Sequence, residues 1–181
     1  MVECVFCGIA KGAIPSKKVY EDNSVIAVLD INPRNPGHTL VVPKKHYETI
    51  MEMPDNEAQT LFAAVKKMAS VIKKATNADG VSISQSNGRA AGQIIPHVHF
   101  HVIPRFMNEG PVGLESILPS KRLDEQTMNK LVESIKTSMT TTPSSSVSAN
   151  TEDGSKEKKS EKKEKTKEED VLYSEDDVFD F

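Results

Sequence analysis

The stretch His97-Val98-His99-Phe100-His101-Val102-Ile103 places three of the chain's five histidines at a strict period of two. In an extended strand, successive side chains point to opposite faces. Val98, Phe100 and Val102 are therefore predicted to face a core. His97, His99 and His101 are predicted to form one row on the other face, with neighbours about 6.6 Å apart by strand rise. Histidine titrates near neutral pH and is the commonest metal ligand. A row of three in a histidine-poor chain points to nucleophilic or acid–base chemistry, or to metal binding.

Charge divides the chain of 181 residues in two. Up to Met139 there are 16 basic and 14 acidic residues; from Thr140 onward there are 7 and 12. A nearly neutral first part carries no electrostatic footprint for nucleic acid. No apolar run approaches the length of a membrane span. Met1-Val2-Glu3-Cys4 has no basic region leading into an apolar stretch, so no secretory signal is expected and the expected location is cytoplasm, nucleus or both. Two cysteines in such a setting suit free thiols or metal binding better than a disulfide.

The chain up to Met139 reads as one α+β domain with an antiparallel sheet of about five strands and two helices. Val19 to Glu21 and Val25 to Asp30 flank the hairpin signal Asp22-Asn23-Ser24. Val25-Ile26-Ala27-Val28-Leu29 is apolar throughout, as in a strand buried on both faces. Asn32 to Gly37 is a loop, with two prolines and a glycine, and His38 to Pro43 follows as a strand. From Asp55, a plausible N-cap, apolar residues from Ala58 to Ile72 repeat at helical spacing and predict a helix ended by Asn77 or Gly80. Val81 to Gln85 alternates as a strand. A loop, Ser86 to Gln93, leads into the histidine strand, and Asp124 is placed to cap a last helix. Residues 140–181 are low in complexity and charged, and read as a disordered tail. The end of that tail, 171–181, mixes acids with large apolar groups and suits a docking motif for a protein partner.

Three groups of residues carry chemistry. Cys4-Val5-Phe6-Cys7 offers two thiols at a spacing that serves zinc, redox exchange or plain burial equally well. Structural zinc needs four N or S donors, and His46 with one triad histidine would complete the set if the fold brought them together. If His97 is taken up in that way, His99 and His101 remain. A histidine can attack phosphorus and form a nucleotidyl-imidazole that water then hydrolyses. That step needs hydrogen-bond donors around the phosphoryl oxygens. Backbone N–H groups near Gly92 and Gln93, with the side chains of Asn87 and His101, are candidates.

Taken together, these segments resemble the histidine-triad superfamily of nucleotide hydrolases and transferases, in its Hint-like branch. The resemblance runs from Cys4 to Arg105 and rests on His97 to Ile103, Gly37-His38-Thr39-Leu40, Asp30-Ile31 and Asn87-Gly88 through Gly92-Gln93, in that order. It implies His99 as nucleophile, His101 as a phosphate contact and His38 as completing the hydrogen-bond set. It also implies an adenosine pocket. Asp30 and Ile31 would hold the ribose and flank the base, with Val5, Phe6, Ile9, Val28 and Leu40 around it. Zinc through Cys4, Cys7, His46 and His97 and a homodimer are implied as well. The expected activity is hydrolysis of purine nucleoside 5′-phosphoramidates, adenosine preferred. A Fhit-type hydrolase of dinucleoside polyphosphates and a slow nucleotide-binding adaptor are the alternatives. One departure stands out. Family members often carry Ser or Thr after the Gly-Gln pair, whereas this chain has Ile94.

Overall fold

The computed structural model describes residues 4–110 and 122–141. The expected tail, 140–181, overlaps the described residues only at 140 and 141, which belong to the last helix (Glu125–Thr141); the rest of it, with its terminal motif, lies outside the described residues. The first hairpin joins β1 (Lys18–Glu21) to β2 (Val25–Leu29), and Asp22 closes it. Its Oδ1 accepts from the backbone N–H of Ser24 and Val25, and its Oδ2 accepts from the Tyr20 hydroxyl at 2.6 Å. The side chain thus does for the turn what an Asx-turn does generally. β2 pairs with β3 (Thr39–Pro43), which pairs with β5 (Phe100–Arg105), which pairs with β4 (Gly80–Ser84). The order is β1-β2-β3-β5-β4, with every neighbour antiparallel, as expected.

Among the described residues three α-helices accompany the sheet, one more than the sequence reading supplies. α2 (Asp55–Thr76) buries Leu61, Ala64, Val65, Met68 and Ile72 on one sheet face, against Val25, Ala27, Val41, Phe100 and Val102. Asn77 ends it in the left-handed conformation, φ 53°. Asp55 is its first helical residue rather than its cap, because Pro54 holds the capping position with extended backbone. α3 (Glu125–Thr141) begins as expected: Asp124 accepts from the Thr127 backbone N–H at 2.8 Å and from its hydroxyl at 2.9 Å. α1 (Val5–Ala10) is the helix the sequence hides, since six residues are too few to show a helical period. It covers part of the opposite face, where Phe6 and Ile9 pack with Ile26, Val28 and Val42. No helix among the described residues is long and apolar enough to cross a membrane.

β2 is buried from both sides because its residues alternate between these two clusters. The same alternation positions the histidines. Phe100 and Val102 point toward α2, so His99 and His101 emerge on the face that carries α1. Gly37 feeds β3 at φ 93°, and a Cβ there would stand 2.6 Å from the Thr76 methyl. Only glycine meets both demands.

Large apolar side chains buried under α2 each stabilise the fold by about 1.5–3 kcal/mol. Leu61, at 1% exposure, and Val71, at 50%, separate core from surface on one helix. Leu61→Ala is expected to cost about 2–5 kcal/mol and Val71→Ala no more than about 0.5 kcal/mol, as read by urea unfolding.

Candidate active site and metal cluster

The histidine strand is shorter than its sequence pattern. Regular pairing of β3 with β5 stops at Val41 opposite Phe100. Before that point the backbone turns on itself: the His97 N–H donates to the Ile95 carbonyl, and the Val98 N–H to that of Tyr47. Pro96 has no N–H to give to a ladder. The three histidines therefore do not form the even row predicted from strand geometry. His97 turns away, while the His99 and His101 rings remain neighbours, with centroids 5.0 Å apart.

His97 is fully buried, and its ring closes a cluster. Its Nδ1 lies 3.3 Å from Cys4 Sγ, 3.6 Å from Cys7 Sγ and 3.2 Å from His46 Nδ1, and Cys7 Sγ is 3.4 Å from His46 Nδ1. One ligand atom from each of the four lies within 4.8 Å of all the others. A tetrahedral zinc ion with Zn–S near 2.3 Å and Zn–N near 2.0–2.1 Å sets its donors about 3.3–3.8 Å apart. The donor set fits. The second His97 nitrogen, Nε2, donates to the Pro43 carbonyl at 2.9 Å, which leaves Nδ1 bare and aimed inward. This outer partner fixes the tautomer that a metal ligand needs. Neither cysteine is in a disulfide.

The other histidines form a chain of hydrogen bonds whose direction can be read. The Arg34 backbone N–H donates to His38 Nδ1 at 3.2 Å, so that nitrogen is bare. His38 Nε2 then carries the proton and donates to His101 Nδ1 at 3.0 Å. His101 must carry its own proton on Nε2. His99 has the opposite sense: its Nδ1–H donates to the His97 carbonyl at 2.7 Å, which leaves Nε2 as a free lone pair. A bare nitrogen thus stands beside an N–H donor. Burial, reinforced by the neighbouring His99 and His38, holds the His101 pKa down at about 4, so this donor is neutral at physiological pH. Burial also lowers His38, partly opposed by the Asp30 carboxylate 3.5 Å from its Nδ1. Asp30, His38 and His101 form a second group of metal-ligating types. Asp30 lies on the Nδ1 side of the His38 ring and His101 is hydrogen-bonded on its Nε2 side.

The expected adenosine-pocket residues fall into two sets. Phe6, Ile9, Val28 and Leu40 pack together in the apolar cluster under α1, whereas Val5 is 36% exposed and Ile31 91%. Phe6 has an additional contact that the sequence did not signal. Its ring lies 5.7 Å from that of His97 and 5.0 Å from that of His99. Asp30 Oδ1 accepts from the Asn32 N–H. Gln93 is buried and staples the preceding loop: its Oε1 accepts from the Gly88 N–H at 2.6 Å and its Nε2 donates to the Glu48 carbonyl. Asn87 accepts from the Ile50 N–H and exchanges bonds with Gln85. Gly92 ends the short 3₁₀ turn Arg89–Ala91 at φ 87°, and Ile94 is 91% exposed. Sequence reasoning missed the backbone partners, namely the Arg34 N–H and the Pro43 and His97 carbonyls, because every residue type carries them.

Residues 11–108 match the HIT domain family. An uncharacterised HIT-like protein of Methanocaldococcus jannaschii is 54% identical over 122 residues, which are 67% of this chain and 94% of that protein. An adenosine 5′-monophosphoramidase of Candida albicans is 36% identical over 137 residues, 74% of this chain and 89% of its own length. The crystal structure of a zinc-bound histidine triad family protein from Mycobacterium smegmatis superposes with a TM-score of 0.55 at 29% identity, covering 76% of this chain and 96% of that one.

His101, His38 and His97 all have pKa values lowered in the folded state, in each case chiefly by burial. Between pH 6.5 and about 4 the unfolded chain thus binds more protons than the folded one, so folding stability is full above that window and is lost as pH falls through it. Thermal melts across pH 7.5 to 4 are expected to show a falling midpoint, with a shallower fall in His101→Asn.

Proposed function

The chain belongs to the HIT family, and we propose that this HIT-family hydrolase cleaves the P–N bond of purine nucleoside 5′-phosphoramidates, adenosine preferred. The observation that carries this reading is the opposed proton placement on His99 and His101. The free Nε2 lone pair of His99 attacks phosphorus, the P–N bond breaks, and the amine departs with its electron pair and takes up a proton. Water then attacks the same phosphorus, releasing the nucleoside monophosphate and regenerating His99. Splitting one displacement into two in this way requires His99 to be neutral and oriented, and its bond to the His97 carbonyl orients it.

His101 supplies an N–H to a non-bridging phosphoryl oxygen, and His38 holds His101 in the tautomer that allows it. Asp30 accepts the ribose hydroxyls, with Ile31, Phe6, Ile9 and Leu40 on the base side. Gly92 and Gln93 shape the loop that leads into the histidine segment; their own N–H groups donate to the Arg89 and Gly88 carbonyls and so are not the phosphate donors expected from the sequence, and Asn87 ties that loop to Ile50. Cys4, Cys7, His46 and His97 hold a structural zinc ion, which adds no step to the hydrolysis.

A homodimer is part of the same reading. On α3, Met128, Leu131, Val132, Ile135 and Met139 form one stripe and are 46–73% exposed. A helix with such a stripe in water gains little from its own propensity, and a second copy supplies a matching apolar face. Sedimentation equilibrium is expected to show a dimer that Leu131→Asp with Ile135→Asp weakens by at least about tenfold, the order expected when two desolvated apolar anchors are lost.

The test of activity is AMP release from adenosine 5′-phosphoramidate, with a dinucleoside polyphosphate in parallel. The wild-type protein is expected to turn over the phosphoramidate faster, and His99→Ala to lose about 10³-fold or more. Equal rates in the two proteins would remove His99 as nucleophile. A faster rate on the dinucleotide would reassign the substrate.

A further inference from the structure

The metal cluster and the nucleophile share one residue. His97 gives its ring nitrogen to the cluster and its backbone carbonyl to His99. The segment that carries that carbonyl lies outside the sheet ladder, since pairing with β3 begins only at Phe100. Its position is held by two backbone bonds, His97 N–H to the nearby Ile95 carbonyl and Val98 N–H to that of the distant Tyr47, and by the His97 ring itself. A second link runs through α1. Phe6 lies between Cys4 and Cys7 in sequence, is 3% exposed, and packs its ring against both His97 and His99. α1 is six residues long with no side-chain N-cap, so its own helical propensity does little to seat it. Its two anchors are the apolar cluster around Phe6 and Ile9, and the two thiols at the metal cluster.

We propose that metal binding by Cys4, Cys7, His46 and His97 sets the position and tautomer of His99, with Cys4 and Cys7 acting as positioning residues through His97 and Phe6. This rests on the reading of His99 as nucleophile. With the cluster filled, the His97 ring is fixed at both nitrogens and its carbonyl stands where His99 Nδ1–H requires it. With the cluster empty, the His97 ring loses the restraint at Nδ1 and α1 loses the restraint at its first turn. The His97 carbonyl and the Phe6 ring then shift together, and His99 no longer has one preferred tautomer. The sheet and α2 do not depend on the cluster, because their core is the separate set of residues around Leu61, Val65 and Phe100. Metal loss is therefore expected to slow the reaction without unfolding the protein. The chain itself thereby makes the rate of hydrolysis sensitive to zinc supply and to modification of the thiols.

The experiment uses the full chain loaded with zinc, then stripped with a chelator, then reloaded. Four quantities are read: zinc content, far-UV circular dichroism, the His99 ring-nitrogen NMR shifts, and AMP release. The loaded protein should hold one zinc per chain and show His99 in a single Nδ1–H form. The stripped protein should keep its circular dichroism, show averaged His99 nitrogen shifts, and lose about ten- to a hundredfold in kcat with little change in KM, the scale typical of lost outer partners at a metal site. Reloading should restore the zinc, the single His99 form and kcat. Phe6→Leu should keep the zinc yet broaden the His99 signals, and Cys7→His, which retains a ligand, should bind zinc and recover most of the rate that Cys7→Ser loses. A stripped protein with an unchanged His99 tautomer and unchanged kcat would overturn the proposal, as would a protein that binds no zinc when loaded. Failure of the nucleophile reading shows separately, as turnover retained in His99→Ala, and the NMR arm tests the coupling in either case.

Discussion

Burial of Phe100 and Val102 under α2 is the constraint on which the site depends. Both side chains are almost fully excluded from water and share a cluster with Leu61, Val65 and Met68. Because side chains on a strand alternate, placing these two inward forces His99 and His101 onto the opposite face. A slip of one residue would bury two imidazoles under α2 and expose a phenylalanine, at a cost in desolvation and lost apolar burial that no local gain offsets. The β3–β5 register then sets Leu40 opposite His101, and His38, two residues before Leu40, comes within reach of His101.

Electrostatics inside the site follow from that burial. Neutral imidazoles close together tolerate low dielectric surroundings where imidazolium ions would not. Desolvation is accordingly the main reason that His38, His97 and His101 are all held below the ordinary range, and Asp30 only partly counters it at His38. With the charges removed, what remains is the direction of each hydrogen bond. Those directions are fixed by backbone groups, which cannot change role: the Arg34 N–H only donates, and the carbonyls of His97 and Pro43 only accept. Three backbone atoms thereby choose the tautomers of His38, His97 and His99, and His101 follows from His38. A surface basin of about 440 Å³ at the C-terminal end of α2, lined by Ser70, Lys73 and Lys74, contains none of these groups.

Much of the architecture was legible because it rests on period and on turn chemistry. The five strands, α2 with its Asn77 end, and the Asp124 cap of α3 all announce themselves through alternation, helical spacing or a side chain whose bonding is local. α1 was not legible, since a six-residue helix seated by tertiary contacts has no period to display. The start of β5 was misplaced for a related reason. The alternating pattern runs through His97, but Pro96 and the pull of the Pro43 carbonyl on the His97 ring take the backbone off the ladder before Phe100.

By itself the sequence determined which residue types were available and on which side of a strand they fall, because alternation is a property of the extended backbone and needs no partner. It therefore determined that His99 and His101 share a face and that two thiols lie close together. The tertiary structure decided what each histidine does. Cys4 meets His97 across 93 positions of sequence, and His38 meets His101 across 63. The proton on each ring is assigned by whichever backbone group the fold brings to it. Such contacts carry no local signature, since an N–H or a carbonyl is present at nearly every position and only folding selects the ones that matter.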